Sequence, residues 1–407
     1  MRVIMRWIEE DDLSSSVFWM YGPAGAGKSA IAQTLAELIQ ASGRNGASFF
    51  FSRGKIGRDH AHHLFTTIAY QLAFHNTVTT FREHLNQILY ENRTLSTKPI
   101  NIQMQALIVA PLAKLNGRHS VPVIIIDGLD ECNGHDAQQL ILTVIAEALR
   151  KPRIALRFLV SSRPEAHIRE TFDSDQLYTM TRRLSLDESL NPNKDIEIYL
   201  KDGFNHIYEQ HKQFMADIEK PWPSDGVIDL LVQKASGQFI YAATVLKFVG
   251  EEYYRPNKQL DIVLQPTPRR STAFPDLDAL YTQILLTCPH RASLLLILGI
   301  ILTFHCPQLP EVIEDIYHME RDEVNLVLRS LRSLVRIPGI ECRRLQHEEP
   351  EGEDDKGLRF YHASFHDFLV DEDRSGPFYI NLEDFLSKFT TSGFQVISRF
   401  MPATCTR

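Results

Sequence analysis

The stretch Gly22-Pro23-Ala24-Gly25-Ala26-Gly27-Lys28-Ser29 constrains this chain more than any other. It fits the pattern G-x-x-x-x-G-K-[ST] at every fixed position. Before it, Val17 to Tyr21 is a short apolar run with a strand's length and aromatic content; after it, Ile31, Leu35, Leu38 and Ile39 recur at helical spacing. A strand, a glycine loop and a helix in that order make a phosphate cradle. The glycines let backbone N–H groups turn inward around phosphate oxygens, and the helix N-terminus adds its partial positive charge. In this reading Gly22 to Ala30 wrap the phosphates, and Lys28 reaches the β- and γ-phosphates. Ser29 offers its hydroxyl to Mg²⁺, a cation that prefers oxygen ligands. A glycine-rich turn that only caps a helix would use the same residue types, but the flanking strand and helix favour the cradle.

A second stretch, Val123-Ile124-Ile125-Ile126-Asp127-Gly128-Leu129-Asp130-Glu131, passes from β-branched residues straight into carboxylates. The β-branched run suits a strand buried on both faces. Asp127, at the strand end, is expected to hold Mg²⁺ directly or through water. Glu131, with Asp130 as the alternative, is expected to take a proton from an attacking water. A third apolar run, Leu156 to Val160, ends in Ser161-Ser162-Arg163-Pro164, where Arg163 either senses the γ-phosphate or is a surface or helix-capping arginine. Alternating strands and helices predict an α/β fold with a parallel, doubly wound sheet, whose ligands sit at the carboxyl ends of the strands.

With 407 residues the chain is long enough for about two to four domains. Its 44% hydrophobic and 23% charged residues are those of a globular protein. The net charge of −8 argues against a general electrostatic grip on nucleic acid, so no nucleic-acid partner is expected. Five cysteines are scattered without a C-x-x-C pair, which fits a reducing, cytoplasmic setting better than a disulfide framework or a zinc site. The start of the chain lacks the apolar core and cleavage site of a signal peptide. Ala292 to Phe304, the most apolar segment, is shorter than the ~20 residues a spanning helix needs and reads as a core helix, so no membrane association is expected.

From Ile196 onward the pattern is helical, with one stretch, Val227 to Val249, broken at Ser236-Gly237. Pro256, Pro266, Pro268 and Pro275 punctuate a linker. Three helices then lead to two strand-like runs, Gly339 to Leu345 and Leu358 to His362, with the acidic stretch Glu348 to Asp355 between them. Helices followed by a hairpin predict a winged helix, and an acidic wing tip points to an intramolecular role.

Together these motifs resemble the NACHT family of signal-transduction NTPases, within the STAND and NOD-like receptor class, and most closely the NACHT domains of fungi. The resemblance rests on Gly22 to Ser29, Ile126 to Glu131 and Ser161 to Glu165, and downstream on Ser236 to Ala243 and Tyr361 to Leu369. It organises the chain as a lead-in (1–14), a nucleotide-binding domain (15–175), a helical domain (176–255), a linker (256–275), a winged helix (276–375) and a tail (376–407). The resemblance implies a closed ADP-bound resting state and exchange for ATP, or GTP in some members. It also implies slow hydrolysis and assembly with further copies or related NACHT proteins, in innate-immunity or nonself-recognition signalling. By its place in the winged-helix motif His362 would contact the β-phosphate of ADP; from the residues alone it reads as a core or surface histidine beside Phe360 and Phe365. Related proteins carry more sequence before the first strand and sensor repeats after the winged helix, so the alternative is a truncated regulatory paralogue that binds nucleotide or its full-length relatives without turnover. A small-molecule kinase would need a cationic lid. Arg182-Arg183 is the comparable basic cluster, and the modules after residue 190 have no place in such an enzyme.

Overall fold

Val17–Tyr21 forms β1 at the heart of a five-stranded sheet with β2 (Gly46–Phe50), β3 (Val123–Asp127), β4 (Arg157–Ser162) and β5 (Thr181–Ser185). The order is β2-β3-β4-β1-β5, and every pairing is parallel. The computed structural model describes residues 1–387 apart from 11, 45, 54, 56, 75–78, 116–120, 152–153, 187–191, 216–217, 267–271, 304–308 and 339–356. The chain divides into two compact units, Met1–Leu190 and Asn191–Arg407.

In the first unit the register sets Tyr21 beside Ser162 and Phe50 beside Asp127, so the strands end together at one edge of the sheet. Side chains alternate between the two faces of a strand. Trp19, Ile124, Ile126, Phe158 and Val160 join one core with the helices Leu64–Phe74 and His135–Leu149. Phe18, Met20, Ile125 and Leu159 join the other with Arg2–Glu9 and Lys28–Ala41. All five residues of β3 are buried, as a strand covered on both faces requires. At the sheet edge, the Gln71 amide accepts from Ser48 N–H at 2.7 Å and donates to Ser48 C=O at 2.9 Å, giving β2 a side-chain partner on its open side. Pro111 does not end its helix. The chain widens into a π-helical turn over Met104–Val109 and continues to Ala113, which gives the proline ring room against the preceding turn.

The sequence reading assigns no structure to residues 1–14, yet helix Arg2–Glu9 occupies most of them. Its anchor is Arg157, 1% exposed, whose guanidinium donates to the carbonyls of Trp7 and Glu10, and to that of Asp12 at 3.1 Å. The same guanidinium lies 5.2 Å over the Trp7 ring. Arg157→Ala strands three acceptors that took their hydrogen bonds from this one group. Unfolding in urea should show a loss of about 3 kcal/mol or more, at roughly 1 kcal/mol per stranded acceptor as the lower bound. A midpoint within error of the parent protein would mean that the amino-terminal helix is held by its apolar face alone.

The second unit is helical around one core: Pro192–Gln210, Asp225–Ala235, Phe239–Val249, Pro256–Leu264, Pro275–Leu286, Arg291–Thr303, Pro310–Tyr317, Glu323–Leu328 and Ala363–Leu369. The break read at Ser236-Gly237 is a left-handed turn, with φ of 48° and 78°. Arg374 holds the 2%-exposed Asp278, with Nη2 to Oδ1 at 2.8 Å, and so ties the segment after Ala363–Leu369 to helix Pro275–Leu286. A short antiparallel pair joins β6 (Val335–Arg336) to β7 (Arg359–Phe360). The expected partner strand, Gly339 to Leu345, and the acidic run Glu348 to Asp355 lie outside the described residues.

Two expected boundaries differ from the structure. β5 lies past residue 175 yet pairs with β1, so the sheet reaches into the range read as helical. The supposed linker contains helix Pro256–Leu264. Pro256, Pro275 and Pro310 each begin a helix, a position where the missing N–H costs nothing. Arg291–Thr303 is the buried core helix read from the sequence, and no helix of the described residues is long and apolar enough to cross a membrane.

Candidate functional site at the carboxyl edge of the sheet

The loop after β1 turns on its glycines. Leu186 N–H donates to Tyr21 C=O at 2.7 Å, and a Cβ on Gly22 would lie 2.9 Å from Leu186 O, so a side chain there would strike backbone. Gly25 and Gly27 have φ of 74° and 86°, the left-handed region open to glycine, and Gly27 caps helix Lys28–Ala41. Lys28, the first residue of that helix, reaches back and donates to Gly22 C=O at 2.9 Å and Pro23 C=O at 2.8 Å. The loop is thus wrapped around its own lysine, while Ser29 and Ala30 stand exposed on the first turn.

Asp127 ends β3, 3% exposed, and accepts a hydrogen bond from the Ser161 hydroxyl, with Ser29 of the phosphate loop near enough to favour its charged form. Burial raises its pKa above the ordinary carboxylate value, and the two serines work against that rise. Gly128 follows in the left-handed region, φ 68°, and opens the turn Leu129–Glu131. Asp130 uses both oxygens on Arg163: Oδ1 accepts the backbone N–H at 2.9 Å and Oδ2 meets Nε at 3.2 Å. Glu131 Oε2 accepts the Arg53 N–H at 3.2 Å. Burial, then the neighbouring Asp130 charge, pushes the Glu131 carboxyl up to about 7. Lys28 is shifted down by burial and feels Asp130, Arg163, Asp127 and Glu131, so these charges form one electrostatic group.

The structure therefore gathers Gly22 to Ala30, Asp127, Asp130, Glu131 and Arg163 at one edge of the first unit. His362 belongs to the second unit, where it caps helix Ala363–Leu369. Its Nδ1 accepts from Ser364 N–H at 3.0 Å and lies 2.6 Å from Ser364 Oγ, which in turn meets the Tyr281 hydroxyl at 2.8 Å. With Nδ1 accepting, a neutral ring carries its proton on Nε2. Two members of the site escaped the sequence reading. Ser161 was read as a polar strand end, although its place one strand from β3 is what sets it on Asp127. Arg53 contributes its backbone N–H to Glu131 and its Nη2 to Asp130 C=O at 3.4 Å, and nothing in the residues around it marks it as part of the site.

Residues 2–163 match the family model described as Nephrocystin 3, N-terminal. No curated protein matches the chain. Among solved structures it is similar to a Walker-type ATPase of Pyrococcus abyssi, at 13% identity over 82% of this chain and 87% of that one, TM-score 0.39. It is also similar to Drosophila ORC bound to DNA, at 12% identity over 97% and 95%, TM-score 0.40. The Orc1 protein of Aeropyrum pernix in complex with DNA is a third, at 14% identity over 95% and 88%, TM-score 0.34. The last two correct one expectation. Both carry DNA, so nucleic acid no longer stands as excluded; a net charge is a sum over the whole surface and says nothing against a local basic face. The first unit's own sheet order, glycine loop and acidic strand end are those of an α/β P-loop NTPase fold.

Proposed function

We propose that the chain is a nucleotide-dependent switch of the NACHT type, resting with ADP and exchanging it for ATP or GTP. The observation that carries this reading is the placement of Asp127. Its buried carboxylate accepts a hydrogen bond from Ser161 of β4 and feels Ser29 of the phosphate loop, which favours its charged form. Loop, strand end and neighbouring strand thus meet at one carboxylate. A buried carboxylate beside a serine hydroxyl is an all-oxygen donor pair and fits Mg²⁺. When bound, that ion neutralises charge on the β- and γ-phosphates. Gly22 to Ala30 and Lys28 bind the phosphates, Ser29 and Asp127 hold the cation, and Glu131 takes the proton of the attacking water. Asp130 orients Arg163, which senses the γ-phosphate. In this reading the helices from Pro275 and the β6–β7 pair form a winged helix whose His362 contacts the β-phosphate, hydrolysis is slow, and the triphosphate form assembles with further copies or related NACHT proteins in nonself-recognition signalling.

The test is to purify the chain under native conditions, denature it and identify the released nucleotide by chromatography. Near-stoichiometric ADP or GDP is the expected result, and it fixes the base at the same time. A protein that is empty and binds added nucleotide only weakly would overturn the resting-switch reading in favour of a regulatory paralogue.

A further inference from the structure

Helix His135–Leu149 packs against helix Ala166–Asp173, whose N-cap is Glu165. The start of each helix contributes imidazole. The His135 and His167 rings lie 4.1 Å apart, centroid to centroid, with their planes 20° from parallel. Glu165 Oε2 stands 3.8 Å from His167 Nε2. One donor atom from each of His135, Glu165 and His167 lies within 4.8 Å of the other two. None of these three side chains has a part in the nucleotide chemistry argued above.

We propose that His135, Glu165 and His167 form a binding site for one divalent transition-metal ion of the zinc class. Two imidazoles and one carboxylate are the donors such borderline ions prefer, while Mg²⁺ prefers oxygen and would remain at the phosphate loop. Three protein ligands leave a fourth tetrahedral position for water. Bonds of about 2.1 Å bring tetrahedral donors to roughly 3.4 Å from one another, a closer approach than the widest spacing here. His135 is exposed and free to swing inward, whereas Glu165 and His167 are partly buried and already placed.

Behind the three ligands stands the kind of outer partner that metal sites use. Gln138, 3% exposed, accepts the His167 Nε2–H through its Oε1 at 2.6 Å, which leaves Nδ1 as that ring's ligating nitrogen, and donates from its own Nε2 to Cys132 C=O at 2.6 Å and Asp130 C=O at 3.4 Å. Such a partner fixes the ring orientation of a ligating histidine. It also ties the cluster to the backbone of the turn that carries Asp130 and Glu131, so an ion bound here would stiffen that turn from behind.

Co²⁺, whose visible absorption reports tetrahedral nitrogen and oxygen ligation, is the direct probe, added to the full chain with Mg²⁺ in excess and then displaced by Zn²⁺. One saturable ion per chain is expected. His135→Ala, an exposed change that leaves the fold alone, should weaken it at least about 10-fold, the loss that even an outer-shell partner incurs. The paired change His62→Ala, His63→Ala elsewhere on the unit should leave the affinity unchanged. Absence of saturable binding, undiminished affinity in His135→Ala, or loss in the paired variant would each overturn the assignment.

Discussion

Glu131→Gln is expected to leave nucleotide affinity within a few-fold of the parent protein while slowing hydrolysis by about 10²–10⁴-fold, the usual contribution of a positioned general base. Geometry favours Glu131 over its neighbour. Both oxygens of Asp130 are engaged by Arg163, whereas Glu131 accepts one backbone hydrogen bond, which a glutamine carbonyl can also accept. The electrostatics agree, since burial and the Asp130 charge raise the Glu131 carboxyl to about 7, close to where a general base works best at neutral pH. The sign follows directly. A base acts deprotonated, so the rate should climb as pH rises through about 7 and level off above it, and that limb should be missing from Glu131→Gln. The same shift carries a cost in stability. A carboxyl that holds its proton more tightly folded than unfolded loses its contribution as pH rises from about 4.5 to about 7, so the empty protein should unfold more readily at pH 8 than at pH 5 as far as this group is concerned. Single-turnover hydrolysis across pH, with binding measured alongside, is the check. Unchanged hydrolysis in Glu131→Gln would transfer the base to another group.

The parts of this fold that could be read from the sequence are those whose signal is local. Gly22 to Ser29 needs a glycine where φ is positive or the backbone passes close, and Asp127 follows a run that is apolar because both faces of β3 are covered. Features set by distant partners left no such mark. β5 is a partly exposed edge strand, Thr181-Arg182-Arg183-Leu184-Ser185, and without a buried face it shows no apolar alternation; its arginines serve Glu10 and Asp173 instead. Arg157 looks like a charged residue at the start of a strand, and only the fold shows that it collects carbonyls about 145 to 150 positions upstream. The prolines misled because the same residue that breaks a helix interior also opens a helix. Ser161 and Asp127 lie 34 residues apart and meet because β4 lies beside β3, a neighbour relation that local pattern does not encode.

Lys28→Ala should abolish useful nucleotide binding without weakening the empty fold, and the two halves of that expectation have different causes. In the structure the ammonium is held by Gly22 C=O and Pro23 C=O, so the phosphate loop is shaped around the charge that a phosphate would meet. Replacing it removes that charge from the site. An ammonium that reaches the β- and γ-phosphates would make about two charge-assisted hydrogen bonds at about 1.5–3 kcal/mol each, which puts the loss of affinity at roughly 100-fold or more. For the empty protein the balance runs the other way. Lys28 sits at the first position of its helix, where the helix dipole disfavours a positive charge, and burial lowers its pKa further. Alanine is also the better helix former. Water can reach the part-buried Gly22 C=O and the exposed Pro23 C=O once the ammonium is gone, so the unfolding midpoint without nucleotide should stay level, while the stabilisation that added nucleotide gives the parent protein, which grows with the logarithm of ligand concentration over Kd, should vanish. Lys28→Arg is no rescue, because a planar guanidinium cannot replace a compact ammonium between two loop carbonyls. Thermal unfolding of parent and variant, each with and without ADP and Mg²⁺, separates the cases. A variant that keeps the nucleotide-induced shift would move the phosphate site away from this loop, and one that unfolds early even when empty would make Lys28 a structural brace instead of a phosphate ligand.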